Sequence, residues 1–348
     1  METKRTYINM EYPDPEALKE AAALLRSGEI VAFPTETVYG LGANALNAEA
    51  CARIFEVKGR PQDNPLIVHV NSRMMADKLV ARWTEAAEIC ARTLWPGPLT
   101  LILPKNELVP DRVTAGLDTV AIRMPDHPVA LALIEESGLP LAAPSANLSG
   151  RPSPTTGSHV WEDMRGRIPL ILDAGSCEVG LESTVLDVSG EVPVILRPGG
   201  LAREELEKVL GPVELNHPSA SSVPRSPGLK YRHYAPRGEM YVVVGSREKV
   251  LDRISQEIKK GHYQHKKIGI LCTLESAPHI QTEQPDLLYV LGSQARPREV
   301  AASLFAGLRL CDQRGIELVL AEGFEEGGLG LAIMNRLEKA SGHKTLYV

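Results

Sequence analysis

Short apolar runs alternating with helical patterns organise the first two thirds of the chain. IVAF (30–33), LIVHV (66–70), LTLIL (99–103), TVAIRM (119–124), LPLAA (139–143), STVLDV (183–188) and VPVILR (192–197) have the length of strands, and several are apolar throughout. Strands covered on both faces look like this, whereas half-exposed ones alternate. Between them, residues 48–57 carry Cys51, Ile54 and Phe55 at helical spacing, with Asn47 placed to cap the first turn. Residues 202–210 put Leu206, Val209 and Leu210 on one face and stop at Gly211 and Pro212. Not every connection is long enough for a crossover helix, so the pattern predicts a twisted mixed α/β sheet rather than a purely parallel one.

Residues 211–237 are rich in Pro, Ser and Gly, show no periodicity and read as a linker. A second α/β pattern follows. MYVVV (240–244), KIGILC (267–272), LLYVL (287–291) and ELVLAE (317–322) are separated by helical stretches near 247–260 and 296–314. That predicts a smaller parallel three-layer α/β/α domain. The expected organisation is a catalytic domain at 1–212, a linker at 213–237 and a C-terminal domain at 238–348.

With 348 residues, 43% of them apolar, the chain can bury a sizeable core, and its length favours two domains. No apolar run approaches the ~18–20 residues of a membrane helix. The N-terminal stretch METKRTYINMEYPDPE lacks the apolar core of a signal peptide, so a cytoplasmic protein without membrane contact is expected. Cys51, Cys90, Cys177, Cys272 and Cys311 are widely spaced and form no CxxC; they are expected to be reduced and buried, not zinc ligands.

The net charge of −6 argues against a nucleic-acid coat. It is unevenly placed. From Glu239 onward 14 basic residues balance 14 acidic ones, leaving 24 basic against 30 acidic before it. Within that acidic part, residues 223–237 (VPRSPGLKYRHYAPR) hold Arg225, Lys230, Arg232 and Arg237 and no acid. Such a segment suits a local anion partner; its blander reading is a solvated linker kept extended by its charges.

The polar residues of interest lie at strand ends, where open α/β sheets bind ligands. They supply Lys58, Arg60, Arg123 and Arg197 as cations, and Thr35, Thr37, Ser145, Asn147, Ser153 and Ser183 as hydroxyl or amide groups. Guanidinium forks suit carboxylates and phosphates. Cations without an evident general base describe a site that positions anions, and the residues alone stop at a nucleotide held with a small carboxylate. Singly, each has a bland role: Arg60 and Arg123 in structural ion pairs, His69 as a hydrogen-bonded core residue, Ser183 satisfying backbone. There is no P-loop and no GxSxG. Gly40-Leu41-Gly42 and Gly328-Leu329-Gly330 lack a third glycine and read as turns, and His262 and His265 as a surface loop rather than a metal pair.

The segments PTETVYGLGANA, KGRPQDNPLIVH, WPGPLTLIL, TVAIRMPDHP, APSANLSG, ESTVLD and LRPGG together resemble the YrdC-type threonylcarbamoyl-AMP synthases over residues 10–210. SPGLKYRHYAP and the second α/β pattern resemble the family's long, two-domain form; Leu229, where methionine is common, is a mild departure. The resemblance implies a mixed-sheet domain with a large positive cavity. The family's KxR and SxN signature falls on Lys58, Arg60, Ser145 and Asn147 as catalytic residues. It implies threonine binding by Thr37, His69, Arg123, Ala143 (through backbone) and Ser183. ATP contacts fall on Arg60, Asn64, Thr119, Ser145, Ser153 and Arg197, with Tyr234 of the linker closing over the nucleotide.

The implied reaction joins L-threonine, bicarbonate and ATP, with Mg²⁺, into threonylcarbamoyl-AMP and pyrophosphate. The product passes to the transferase machinery that modifies tRNA. A carbamate is unstable in water, so a lid formed by the basic linker is expected. Two other classes remain open at this stage: an RNA- or tRNA-binding module, which the acidic charge and the 5% aromatic content disfavour, and a carbamoyl-phosphate-using transferase, which the linker disfavours.

Overall fold

The computed structural model describes residues 1–216 and 233–348. They divide into two compact units. The first takes in residues 1–149, 153–178 and the described residues from 182 to 216; the second takes in 150–152, 179–181 and 233–348.

The first unit runs β1 (Lys4–Tyr7), α1 (Pro15–Arg26), β2 (Val31–Phe33), β3 (Gly40–Asn44), α2 (Ala48–Lys58), β4 (Ile67–His69), α3 (Arg73–Asp77), α4 (Glu85–Leu94), β5 (Leu99–Pro104), α5 (Asp111–Thr114) and β6 (Thr119–Arg123). It continues with α6 (Pro128–Ser137), β7 (Leu141–Ala142), α7 (Gly157–Met164), β8 (Leu170–Asp173), β9 (Thr184–Asp187), β10 (Val194–Arg197), α8 (Arg203–Leu210) and β11 (Glu214–Leu215). Among the described residues its strands form one sheet in the order β1-β8-β2-β3-β7-β4-β6-β5-β9-β10-β11, with parallel and antiparallel pairs mixed. The mixed sheet is as the connection lengths predict. β1 pairs with β8, Lys4 opposite Leu170 and Tyr7 opposite Asp173, and the Arg5 guanidinium ties to Asp173 at 2.6 Å.

Both faces of the central strands are covered, which is why several of them are apolar almost throughout. One core joins Ala50, Cys51, Ile54 and Phe55 of α2 to Ala87 and Cys90 of α4 and to β3 and β5. Another packs Leu18, Ala21 and Leu25 of α1 with Val129, Leu133 and Ile134 of α6. Local signals act where expected. Asn47 accepts from the backbone N–H groups of Glu49 and Ala50, and Gly59 ends α2 at φ 61°. On α8, Leu206 is buried while Val209 and Leu210 are half-buried. Gly40-Leu41-Gly42 forms the first part of β3 and not a turn. Glu214 and Leu215 pair with β10 inside the stretch whose composition reads as linker.

The second unit contains β12 (Glu239–Val244), α9 (Arg247–Tyr263), β13 (Ile268–Thr273), α10 (Ala277–Thr282), β14 (Leu287–Gly292), α11 (Pro297–Gln313), β15 (Leu318–Glu322), α12 (Gly330–Ser341) and β16 (Thr345–Tyr347). Its sheet, β14-β13-β15-β12-β16, is parallel at every pairing. Alternation along β13 serves both faces: Ile268, Ile270 and Cys272 join Val250, Ile254 and Ile258 of α9, while Leu271 lies on the side of Gly307 in α11. α9 extends through His262, so that histidine is helical, and both it and His265 are exposed. Among the described residues no helix is long and apolar enough to cross a membrane. All five cysteines are buried and unpaired.

Candidate active site

Lys58 enters the site from inside the core. It follows Ile54 by four residues on the buried stripe of α2 and is 3% exposed. Its ammonium Nζ donates to the carbonyls of Ser145 at 2.5 Å and Asn147 at 2.6 Å, with Asn147 Oδ1 at 3.4 Å. The Ser145 hydroxyl donates to Asn147 Oδ1 at 2.5 Å, and Ser149 N–H donates to the Lys58 carbonyl at 2.9 Å. Lys58 of the first signature pair is thus one hydrogen-bonded unit with Ser145 and Asn147 of the second, 87 residues further on. The lysine also sits where the carbonyl end of α2 favours a cation. Gly59 then turns the chain, and Arg60 Nη2 reaches the carbonyls of Asn64 at 3.3 Å and Pro65 at 3.2 Å. Asn64 is 1% exposed, and its Oδ1 has no hydrogen-bond partner among the described residues.

A second row crosses five strands, β4, β6, β5, β9 and β10. His69 ends β4 opposite Arg123 at the end of β6, and Arg123 lies opposite Thr100 on β5. The Thr100 and Ser183 hydroxyls share a 2.7 Å hydrogen bond. Arg197, ending β10, donates from Nη2 to the Ser183 carbonyl at 2.9 Å and to its hydroxyl at 3.3 Å. Arg123 and Arg197 are each 4% exposed. Burial, and then the Arg123 charge, push His69 down to about 3, so its imidazole is neutral.

Thr37 lies in the turn between β2 and β3, with Thr35 Oγ1 2.9 Å from its own hydroxyl. Ala143, just past β7, donates its N–H to the Ile67 carbonyl at 2.9 Å. The buried Ser153 hydroxyl donates to Glu182 at 2.5 Å. Thr119 starts β6, so strand rise puts it about 13 Å from Arg123. Asn64 precedes the parallel β4 and lies at the same end as Thr119. Of the sites expected for threonine, His69, Arg123 and Ser183 lie at one end of these strands while Ala143 lies beside Ile67 at the start of β4, and of those expected for the nucleotide, Arg60, Asn64 and Thr119 lie at the other end. Arg197, expected on the nucleotide, stands with Ser183. Tyr234 is placed in the second unit, 4% exposed, its ring 5.1 Å from Phe305 and 5.7 Å from the Arg336 guanidinium. Residues 217–232, most of the linker expected to act as a lid, lie outside the described residues.

Glu36 carries no role in the sequence reading, yet the structure places it here, 7% exposed and 2.6 Å from Arg123. His127 is also buried and is pushed down to about 4 by burial. Among the described residues no group of three or more His, Cys, Asp or Glu side chains is arranged to hold a metal. The site's polar inventory of guanidinium, ammonium, imidazole and hydroxyl groups suits anions and an amino acid.

A mixed-sheet α/β unit with buried cations at both ends of its central strands, followed by a parallel α/β unit, defines a class of two-unit α/β proteins with an anion-suited site. The family described as telomere recombination (Sua5, YciO and YrdC) matches residues 23–199, and the threonylcarbamoyl-AMP synthase C-terminal domain matches residues 201–342. A threonylcarbamoyl-AMP synthase of Pyrococcus abyssi is 50% identical over 335 residues, covering 95% of this chain and 96% of its own. One of Bacillus subtilis is 48% identical over 353 residues, 99% and 100% of the two chains. The crystal structure of P. abyssi Sua5 complexed with L-threonine aligns with a TM-score of 0.94 at 48% identity, over 99% of this chain and 100% of that one. Escherichia coli YciO, 24% identical with a TM-score of 0.53, covers 57% of this chain and 96% of its own and shares the fold. The chain belongs to the Sua5/YciO/YrdC family, in the form that carries the Sua5 C-terminal domain.

Proposed function

We propose that this chain is a threonylcarbamoyl-AMP synthase, a nucleotidyltransferase that condenses L-threonine, bicarbonate and ATP into threonylcarbamoyl-AMP and pyrophosphate. The observation that carries the reading is the full-length likeness to the threonine-bound P. abyssi protein. The geometry supports it through a cationic end and a second polar end one strand length away.

In this reading threonine sits among Thr37, His69, Arg123, Ala143 and Ser183, and its amine takes up bicarbonate to give a carbamate and water. A carbamate oxygen attacks the α-phosphorus of ATP, and pyrophosphate leaves. Arg60, Asn64, Thr119, Ser145 and Ser153 hold the nucleotide. Arg197, beside Ser183, offsets the repulsion as two anions meet. Lys58 acts by fixing the backbone of Ser145 and Asn147, so that positioning supplies much of the acceleration. ATP would enter as its Mg²⁺ complex, the ion offsetting the charge of the phosphates. The product goes to the machinery that transfers it to tRNA in the cytoplasm.

Pyrophosphate release by purified protein, with threonine and bicarbonate omitted in turn, tests the reading. Release that requires both, with threonylcarbamoyl-AMP found by mass spectrometry, is expected. Release indifferent to threonine overturns it, and a requirement for carbamoyl phosphate assigns the chain to carbamoyl transfer instead.

A further inference from the structure

Glu36 lies between two threonines in the turn after β2, and both of its carboxylate oxygens are out of water without a hydrogen bond among the described residues. Its contact with Arg123 is an ion pair at 2.6 Å, yet Arg123 Nη2 also lacks a hydrogen bond among the described residues. The charges touch while the N–H directions point elsewhere. Among the described residues the buried His69 Nδ1 and His127 Nδ1 likewise have no hydrogen-bond partner. These groups belong together: Arg123 lowers the proton affinity of both imidazoles, and Glu36 raises that of His127. Buried polar atoms normally find partners, because leaving them unpaired costs about 1–3 kcal/mol each. Four side chains left short in one place describe a site shaped for something else to complete.

The missing partner must satisfy a guanidinium and a carboxylate that nearly touch. A phosphate or a dicarboxylate would suit Arg123 but be repelled by Glu36. A cation alone would leave Arg123 short. An α-amino acid carries a carboxylate and an ammonium on one carbon, so it matches both at the spacing of the pair.

We propose that Glu36 binds the amine of threonine, the Arg123–Glu36 pair opening so that the guanidinium takes the substrate's carboxylate and Glu36 its ammonium. The inference rests on the function proposed above and adds the residue that orients the reacting nitrogen. The same carboxylate is placed to take the proton the ammonium sheds. The freed lone pair forms the N–C bond to bicarbonate, water leaves from the bicarbonate carbon, and the proton stays on Glu36.

Calorimetric titration of the full chain with threonine, and with 2,3-dihydroxybutanoate, which has a hydroxyl in place of the amine, tests this in wild type and Glu36→Gln. Wild type should prefer threonine by about ten- to a hundredfold, the worth of a hydrogen bond to a charged group. In Glu36→Gln that preference should vanish, through loss of threonine affinity alone, while Glu36→Asp keeps it. Equal weakening of both ligands would mean that Glu36 acts only by holding Arg123 and would overturn the proposal, as would unchanged threonine binding. No threonine binding by wild type would instead overturn the synthase reading, and this inference with it. If Glu36→Gln does not fold, loss of the preference in Glu36→Asp counts against the proposal and its retention for it.

Discussion

Lys58 directs its ammonium at two carbonyls and one amide oxygen, and this use of a buried cation carries a measurable consequence. Lys58→Met leaves those oxygens short of donors, at about 1–3 kcal/mol for each buried group. The melting temperature should fall, and pyrophosphate release should drop about a hundredfold as Ser145 and Asn147 lose their placement. Lys58→Arg should not restore it, because a planar fork cannot replace a compact ammonium in that pocket. The histidines give a pH dependence. His69 and His127 are depressed from 6.5 to about 3 and about 4, so the folded state binds fewer protons than the unfolded chain. Their contribution to stability is complete above pH 6.5 and is lost as pH falls toward 4, by about 1.4 kcal/mol per pH unit for each. Asp126, raised chiefly by burial, opposes this weakly. The melting temperature should decline steadily from pH 6.5 to 4.5, and less steeply in His127→Asn; a flat profile in wild type would contradict the buried neutral imidazoles. The cations and hydroxyls of the site were legible as residue types at strand ends. Glu36 was not, because an acid in a turn looks solvated until Arg123, 87 positions away, is folded against it.

At the scale of elements, β3 shows where pattern reading fails and why. Two glycines in three residues suggest a turn, yet neither Gly40 nor Gly42 is in the left-handed region. The Phe33 ring lies across both, and a Cβ on Gly42 would stand 2.7 Å from it. Glycine is required there by close approach. Gly42→Ala must therefore move a fully buried ring, and denaturant unfolding should show a loss of about 1–3 kcal/mol. Asn47→Ala, which removes the cap of α2, should cost about 1 kcal/mol in the same experiment. The run at 168–172, by contrast, is as plainly strand-like as those assigned, so β8 was legible though unassigned. β1, with Lys4 and Arg5 in four residues, offers no such pattern and is a strand only because β8 receives it. β11 is two residues long, too short for any period to register.

Across the whole molecule the thiols report on integrity. Cys51, Cys90 and Cys177 lie in the first unit and Cys272 and Cys311 in the second, all buried, and burial holds four of them up at about 12. The thiolate is the reactive form, so iodoacetamide at pH 8 should modify none in the folded protein and all five in denaturant, as read by intact mass. The two-unit architecture was visible in the switch from mixed to repeated parallel patterns, since connection length alone separates them. The assembly of the first sheet was not visible, because pairing between distant segments leaves no local mark. That pairing has a bearing on synthesis. β1 is made well before its partner β8, which ends at Asp173. At the usual 5–20 residues per second, the ribosome takes roughly ten to thirty seconds to deliver it. For that interval the nascent chain exposes the edge of β2 that β8 will later occupy. A holdase chaperone bound there would delay closure of the sheet, so the speed of translation between residues 10 and 173 should influence the yield of active protein.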